Sequence, residues 1–410
     1  MTGPRGSSME NLSRILTLVC NNGEASRANL ARSLNTARST VGLSVDYLVD
    51  QGILAEDEAR DGSLGRPVKA LAPGPRSATT GIVNFRQDGT QIAVADLTGT
   101  ICAQETIDLN FGDGAEPSID AAVAMLRKLE ESLQGSVGPL GQAVVGVPAP
   151  VNYPAGALVR STVPRELGSY PIVAWEEYPV AKHFRQALGV NTILENDSHL
   201  FALGDALSVG AEGWPVVRLH LSFGVGAGIV TETGILYRGA GGSAGDLAHV
   251  APYGGTNSVA CWCGKKGCVA AVGTVRAVLD DLGIPHGNGS DLQSGLEELR
   301  RRLRVGEAAA TQRVWSAADA IGELAAMVVD ILNPATLVLG GEMMHLGSDV
   351  LARVRALVYE RALPLSTRRL QIALSDVERD GALLGGAHLG AASLLSPDGV
   401  RLQLELAARG

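Results

Sequence analysis

The chain has 410 residues, with 34 Lys or Arg against 43 Asp or Glu and a formal net charge of −9. Apolar residues make up 46% and charged residues 19%, a globular balance over a length that supports two or three cores and excludes a disordered chain. No apolar run reaches membrane length, and Met1–Ser8 is too short and polar for a secretory signal, so the expected compartment is the cytoplasm, where thiols stay reduced. The charge is unevenly spread: residues 1–76 carry nine basic and eight acidic side chains, and the remainder carries 25 and 35. Between Ala25 and Val45 stand Arg27, Arg32 and Arg38 and no acid, so the overall negative charge does not exclude a nucleic-acid partner for this end.

The first segment predicts three helices and a hairpin. Ile15, Leu16, Leu18 and Val19 form an apolar stripe, and Ser26 is placed to cap a short helix that turns Leu30 and Leu34 inward. A third helix is expected from about Ala37 to Gln51 on the spacing of Val41, Val45 and Leu48, with Gly52 ending it. Ile53–Ala55 starts a strand, Asp61–Pro67 is a glycine-rich hairpin tip, and Val68–Leu71 returns. Two short helices, a tight turn and a wing are the plan of a winged helix-turn-helix. On that plan the third helix lies in the major groove of double-stranded operator DNA. Arg27, Arg38, Ser39, Thr40 and Ser44 then serve phosphates and base edges, and Arg66, stiffened by Pro67, enters the minor groove. A helical dimerisation module with merely solvated arginines is the competing reading. The expected boundaries are 1–72 for this unit, 73–78 for a linker rich in turn formers, and 79–410 for the rest.

From Gly81 strands and helices alternate. Strands are expected at Gly81–Phe85, Gln91–Asp96, Ala143–Val147, Thr192–Leu194, Arg218–Ser222, Ala227–Thr231 and Thr336–Leu339, with helices near Ile119–Leu133 and Ala317–Leu332 and a late one over the Gly-Ala-Leu-Leu-Gly-Gly-Ala stretch. The pattern predicts an α/β fold of mixed sheets covered by helices, with glycine-rich turns facing each other across a cleft.

Cys261, Cys263 and Cys268 fall within eight residues, and His249 lies twelve positions upstream. Three thiolates and an imidazole make a complete tetrahedral set for Zn²⁺, closed and therefore structural. A disulfide, the alternative, would leave an odd thiol in a reducing compartment.

These motifs together carry a resemblance. The Cys-x-Cys-Gly-x-x-Gly-Cys loop with its upstream His, the stretch Glu195-Asn196-Asp197, the turn Gly146-Val147-Pro148-Ala149-Pro150 and the segment Leu332-Asn333-Pro334 to Gly341 resemble, in order, those of the ROK family of repressors, open reading frames and kinases. The resemblance implies an actin-like, hexokinase-like domain of two lobes with a sugar between them. With a winged helix in front, it also implies a sugar-responsive regulator, usually a repressor, working as a homodimer or homotetramer.

In the family's kinases the first hairpin carries Asp-x-Gly-Gly-Thr; this chain has Asn84-Phe85-Arg86-Gln87-Asp88-Gly89-Thr90, whose Phe85, Arg86 and Gln87 are expected to crowd the approach of phosphate. The second glycine-rich loop, Ser222–Gly228, has Phe223 where the kinases place a Thr. The expectation is a non-enzyme; a sugar kinase with a DNA-binding arm and an effector-independent regulator are the alternatives. The implied sugar contacts are Asn196, Asp197, Asp246 and His249, with Asp246 one methylene shorter than the family's Glu and Ala270 where the family has another Glu.

Overall fold

A computed structural model describes residues 8–22, 26–58, 69–109, 111–159, 175–176, 178–252, 259–287 and 290–408. The hairpin tip that carries Arg66 lies outside them. Helix α1 (Met9–Asn22) buries Leu12, Ile15, Leu16 and Val19, a stripe of period i, i+3, i+4, i+7. Ser26 caps α2 (Arg27–Ser33) by accepting a hydrogen bond from the Asn29 amide at 3.2 Å. Asn35 takes the left-handed conformation, φ 48°, and turns the chain into α3 (Arg38–Asp50), which buries Val41, Val45 and Leu48. Strand β1 (Leu54–Glu58) pairs antiparallel with β2 (Lys69–Pro73), completing the winged-helix arrangement.

The remainder forms two mixed sheets. In the first, β3 (Thr79–Phe85), β4 (Thr90–Ala95) and β5 (Ile101–Ile107) are an antiparallel meander. After α4 (Ala115–Ser132), β6 (Leu140–Val147) joins β3 in parallel. A short pair, β7 (Val151–Asn152) and β8 (Ala157–Leu158), and α5 (Val180–Leu188) lead to β9 (Asn191–Asn196), parallel to β6. Strands β3, β4 and β6 are buried along their whole length, Asn84, Gln91 and Gln142 included, as expected of a sheet covered on both faces. Helix α6 (Asp197–Val209) starts directly from β9.

The second sheet repeats the plan in the order β11-β10-β12-β13. The hairpin β10 (Val216–Leu221) and β11 (Val225–Val230) is followed by α7 (Val269–Val272), α8 (Val275–Asp281), α9 (Ser290–Arg304) and α10 (Ala308–Leu332). The parallel strands β12 (Thr336–Gly340) and β13 (Gln371–Leu374) flank α11 (Ser348–Arg361) and α12 (Pro364–Thr367). The chain closes with α13 (Gly381–Leu395) and α14 (Pro397–Ala407).

Helix α13 lies along α6 and also packs on β3 and β6, so it touches both lobes. Against α6 the contact is backbone against backbone: a Cβ at Gly385 would overlap the Leu200 carbonyl oxygen and one at Gly204 the Gly381 carbonyl; against β3, a Cβ at Gly390 would overlap the Thr80 side chain. At its far end α13 enters the core of the N-terminal unit. Leu394, Leu395, Val400 and Leu404 share one cluster with Leu12, Ile15, Leu16 and Val19, and Ser13 Oγ donates to the Leu395 carbonyl at 2.6 Å. The expected linker, 73–78, is itself tied down: the Gly74 amide bonds Ile53 O at 2.8 Å, Arg76 Nη1 bonds Ala407 O at 3.2 Å, and the Ala78 amide bonds Gln403 Oε1 at 3.2 Å.

An alanine inside an exposed helix is about 1 kcal/mol better than glycine. Gly385→Ala is expected to reverse that sign and destabilise the protein by about 2 kcal/mol or more, because the added methyl has no room. Urea unfolding of the two proteins measures it.

Candidate functional site: ligand cleft, metal cluster and nucleic-acid face

Between the lobes lies a cleft of about 770 Å³ whose walls include Asn196, Asp197, Asp246 and His249 together. The end of β9 and the start of α6 deliver the first pair. Asn196 caps the helix, its Oδ1 accepting from the Ser198 amide at 2.9 Å, while its Nδ2 donates to Ala149 O at 2.8 Å. Asp197 is 7% exposed, and burial pushes its carboxyl up to about 6 although Ser198 Oγ donates to it at 3.2 Å. A carboxyl there can accept hydrogen bonds from the hydroxyls of a ligand in the cleft.

Behind this pair Glu195 organises the opposite wall, a role the sequence reading missed. Its Oε2 accepts from Arg238 Nε at 2.6 Å, and its Oε1 accepts from His199 Nδ1 at 2.8 Å. His199 Nε2 donates in turn to Ala244 O at 2.8 Å. With an acceptor at each ring nitrogen the imidazole is held as a cation, and its two partners keep the Glu195 carboxyl below its ordinary range despite burial. The loop leading to Asp246 is thus moored to β9 and α6. The i, i+4 spacing of Glu195 and His199 across the strand–helix junction is the signal for it in the sequence.

The other end of that loop is held by sulfur. Cys261 Sγ lies 3.6 Å from His249 Nδ1, Cys263 Sγ lies 3.6 Å from Cys268 Sγ, and all four ligand atoms fall within 4.8 Å of one another. Ligands of a tetrahedral Zn²⁺ with Zn–S near 2.3 Å and Zn–N near 2.0 Å sit roughly 3.5–3.8 Å apart, so the donor set fits a metal ion. The Trp262 ring meets the His249 ring edge-on at 4.6 Å and fixes its plane.

A chain with this cluster, this cleft and this doubled sheet plan matches the ROK family over residues 83–394. The chain belongs to the ROK family. A xylose repressor of Caldicellulosiruptor bescii is 20% identical over 395 residues, covering 93% of this chain and 95% of that protein. A glucokinase of Halalkalibacterium halodurans is 25% identical over 324 residues, 73% of this chain and 92% of the kinase. The fold matches a solved ROK family transcriptional regulator, a homologue of the E. coli Mlc protein, at a TM-score of 0.74 and 19% identity, over 98% of this chain and 99% of that one.

At the first hairpin of this ROK domain one expectation needs correction. Phe85 does not crowd the turn: it is fully buried, its ring 4.9 Å from Trp175 and 6.2 Å from Phe184, because β3 alternation points it into the lobe core. Arg86, Gln87 and Asp88 face the cleft instead. Arg86 binds Asp88 through two hydrogen bonds of 2.7 and 3.0 Å. Asp88 also accepts from Gln293 of α9 and from Arg379, each at 3.2 Å, and Gln87 accepts from Arg276 of α8 at 3.3 Å. The turn is therefore a bridge between lobes. Phe223, in the second loop, is 7% exposed and lines the same cleft.

On the N-terminal unit, Arg38 and Ser39 are exposed on α3 and Thr40 is half-buried. Ser44 is not on that face: it is 0% exposed, its Oγ donating to Thr40 O at 3.0 Å, because position 44 falls on the Val41–Val45–Leu48 stripe. Arg27 is engaged within the unit, its Nη2 2.7 Å from Glu56 and its Nη1 2.5 Å from Asp46. It braces α2 against α3 and β1.

Because the fold raises the Asp197 pKa above its ordinary 3.8, the carboxyl's stabilising contribution is present below that value and is lost as pH rises through about 6. Relative to Asp197→Asn, the ligand-free protein should therefore lose on the order of 2–3 kcal/mol between pH 4 and pH 7.5, two units at about 1.4 kcal/mol each. Urea midpoints of both proteins across that range measure the difference.

Proposed function

We propose that this chain is a DNA-binding transcriptional regulator, a repressor of genes for carbohydrate uptake or breakdown, whose lobes close on a sugar or sugar derivative. The observation that carries this reading is the shared core: α13 runs from the cleft into the cluster that holds α1, so ligand-binding and DNA-facing parts form one mechanical unit. The alignments support it. The xylose repressor matches 93% of this chain, whereas the glucokinase matches 73% and the solved ROK hexokinase of Thermus thermophilus 77%. A regulator of this kind works in the cytoplasm, and no helix among the described residues is long and apolar enough to cross a membrane. It works as a homodimer or homotetramer, since paired recognition helices suit a two-fold operator.

Sugar recognition rests on polar side chains that each serve neighbouring hydroxyls, because a buried polar group left unpaired costs about 1–3 kcal/mol. Asn196 keeps one amide hydrogen beyond its bond to Ala149, and Asp197 and Asp246 supply acceptors. Ala270 offers no acceptor where the family has a Glu, and Asp246 reaches one methylene less far, which favours a smaller or substituted sugar over glucose. Phosphoryl transfer is not part of the reading. Catalysis needs backbone brought close to phosphate and a bound Mg²⁺, and the first turn instead fills that approach with the Arg86–Asp88 pair and its bonds across the cleft.

Zn²⁺ at His249, Cys261, Cys263 and Cys268 would fasten the loop that carries Asp246, as a structural ion with no open coordination position. Elemental analysis should find one zinc per chain. In Cys263→Ser the zinc should fall to near zero and the melting temperature by several degrees; full zinc in that variant contradicts the assignment.

The function is tested by binding to duplexes selected from a random pool. Wild type should retain a duplex at moderate salt and release it on adding a sugar that raises its melting temperature, with D-xylose, D-glucose and N-acetylglucosamine as probes. Arg38→Ala should weaken binding about tenfold and reduce the salt slope by about one. ATP turnover with any of these sugars, in a coupled assay, would overturn the reading.

A further inference from the structure

Two neighbours on the outer face of α3 serve nothing inside the protein. Gly42 sits within the helix at an ordinary helical φ, where alanine would be the better residue. A Cβ there would find no atom within 4 Å, so packing does not demand the glycine, in contrast to Gly385. Leu43, next to it, is 59% exposed, although Val41, Val45 and Leu48 of the same helix are fully buried and already fill the core. Towards the helix N-terminus the surroundings are polar and positive: Ser39 and Arg38 are exposed one turn earlier, Arg32 is exposed on α2, and no acid occurs from Ser26 to Val45. Asp46, one turn later, is paired with Arg27, which also bonds Glu56 and reaches the Gly42 carbonyl at 3.5 Å, and Asp50 is exposed one turn beyond.

We propose that Gly42 and Leu43 are the base-reading patch of this helix, Leu43 packing against thymine methyl groups in the major groove while Gly42 lets the groove edge approach the backbone. Thymine alone among the bases presents a methyl group there, and an apolar side chain is its natural contact. The N-terminal half of α3, with its arginine and serine and no acid, complements a groove lined by phosphates, and it suits neither an apolar peptide nor the interior of an oligomer. The proposal deepens the DNA-binding reading and rests on it.

The test starts from a duplex selected with the full chain. Each thymine is replaced in turn by deoxyuridine, which removes only the methyl group. At one or two positions per half-site the exchange should lower wild-type affinity about five- to tenfold. Leu43→Ala should lose a similar factor on the thymine duplex and become indifferent to the exchange, with an unchanged melting temperature. Gly42→Ala should melt a few degrees higher yet bind about tenfold more weakly. A wild type indifferent to every exchange overturns the proposal. So does a Leu43→Ala protein that changes oligomeric state while keeping the methyl dependence. If selection yields no bound duplex, the DNA-binding reading fails first and this inference with it; a selected duplex without methyl dependence sinks the inference alone.

Discussion

The close approach of α6 and α13 is the constraint on which the rest of the molecule hangs. Glycines at 204 and 385 remove the side chains that would hold the helices apart, and backbone meets backbone. Such a contact transmits displacement because it contains no soft side chain to absorb it. Asn196 and Asp197 open α6 into the cleft, and at the N-terminal end of α13 Arg379 is bonded to Asp88 of the other lobe. At the other end α13 gives its last residues to the core of the winged helix. Opening or closing the lobes must therefore move or strain the seat of α1.

Around that axis the cleft is built from two moorings of different chemistry. The Glu195–His199–Arg238 network fixes one end of the loop that carries Asp246, using a buried carboxylate balanced by two cations. The His249 and cysteine cluster fixes the other. On the proposed reading, a ligand that engages Asp246 would act on a segment held at both ends. The Arg86–Asp88 turn adds a link across the mouth, so the lobes are joined there by the protein's own charges.

Much of this was legible in the sequence, for identifiable reasons. Most sheet strands are short apolar-rich segments between turn formers, the cysteines have metal spacing, and Ser26 and Gly52 bound their helices as side-chain capping and a positive φ require. Elements and features that depend on partners distant in the chain were not legible. Strand β5, with exposed Gln104, Glu105 and Thr106, lacks the apolar alternation of its neighbours. Ser44 reads as a polar surface residue until its position on the buried stripe is seen, and Phe85 reads as a turn residue until Trp175 is found beside it. The segment 73–78 has the composition of a tether, yet its bonds run to Ala407 and Gln403, more than 300 residues away.

The central claim is that cleft and DNA-facing unit are one coupled body. Hydrogen–deuterium exchange of the DNA-free protein, with and without whichever of D-xylose, D-glucose or N-acetylglucosamine raises its melting temperature, tests it most directly. The account predicts that the sugar alters protection at the start of α6 and, in the same sample, along α1 and α14. A change confined to the cleft, with α1 and α14 exchanging as before, would contradict it.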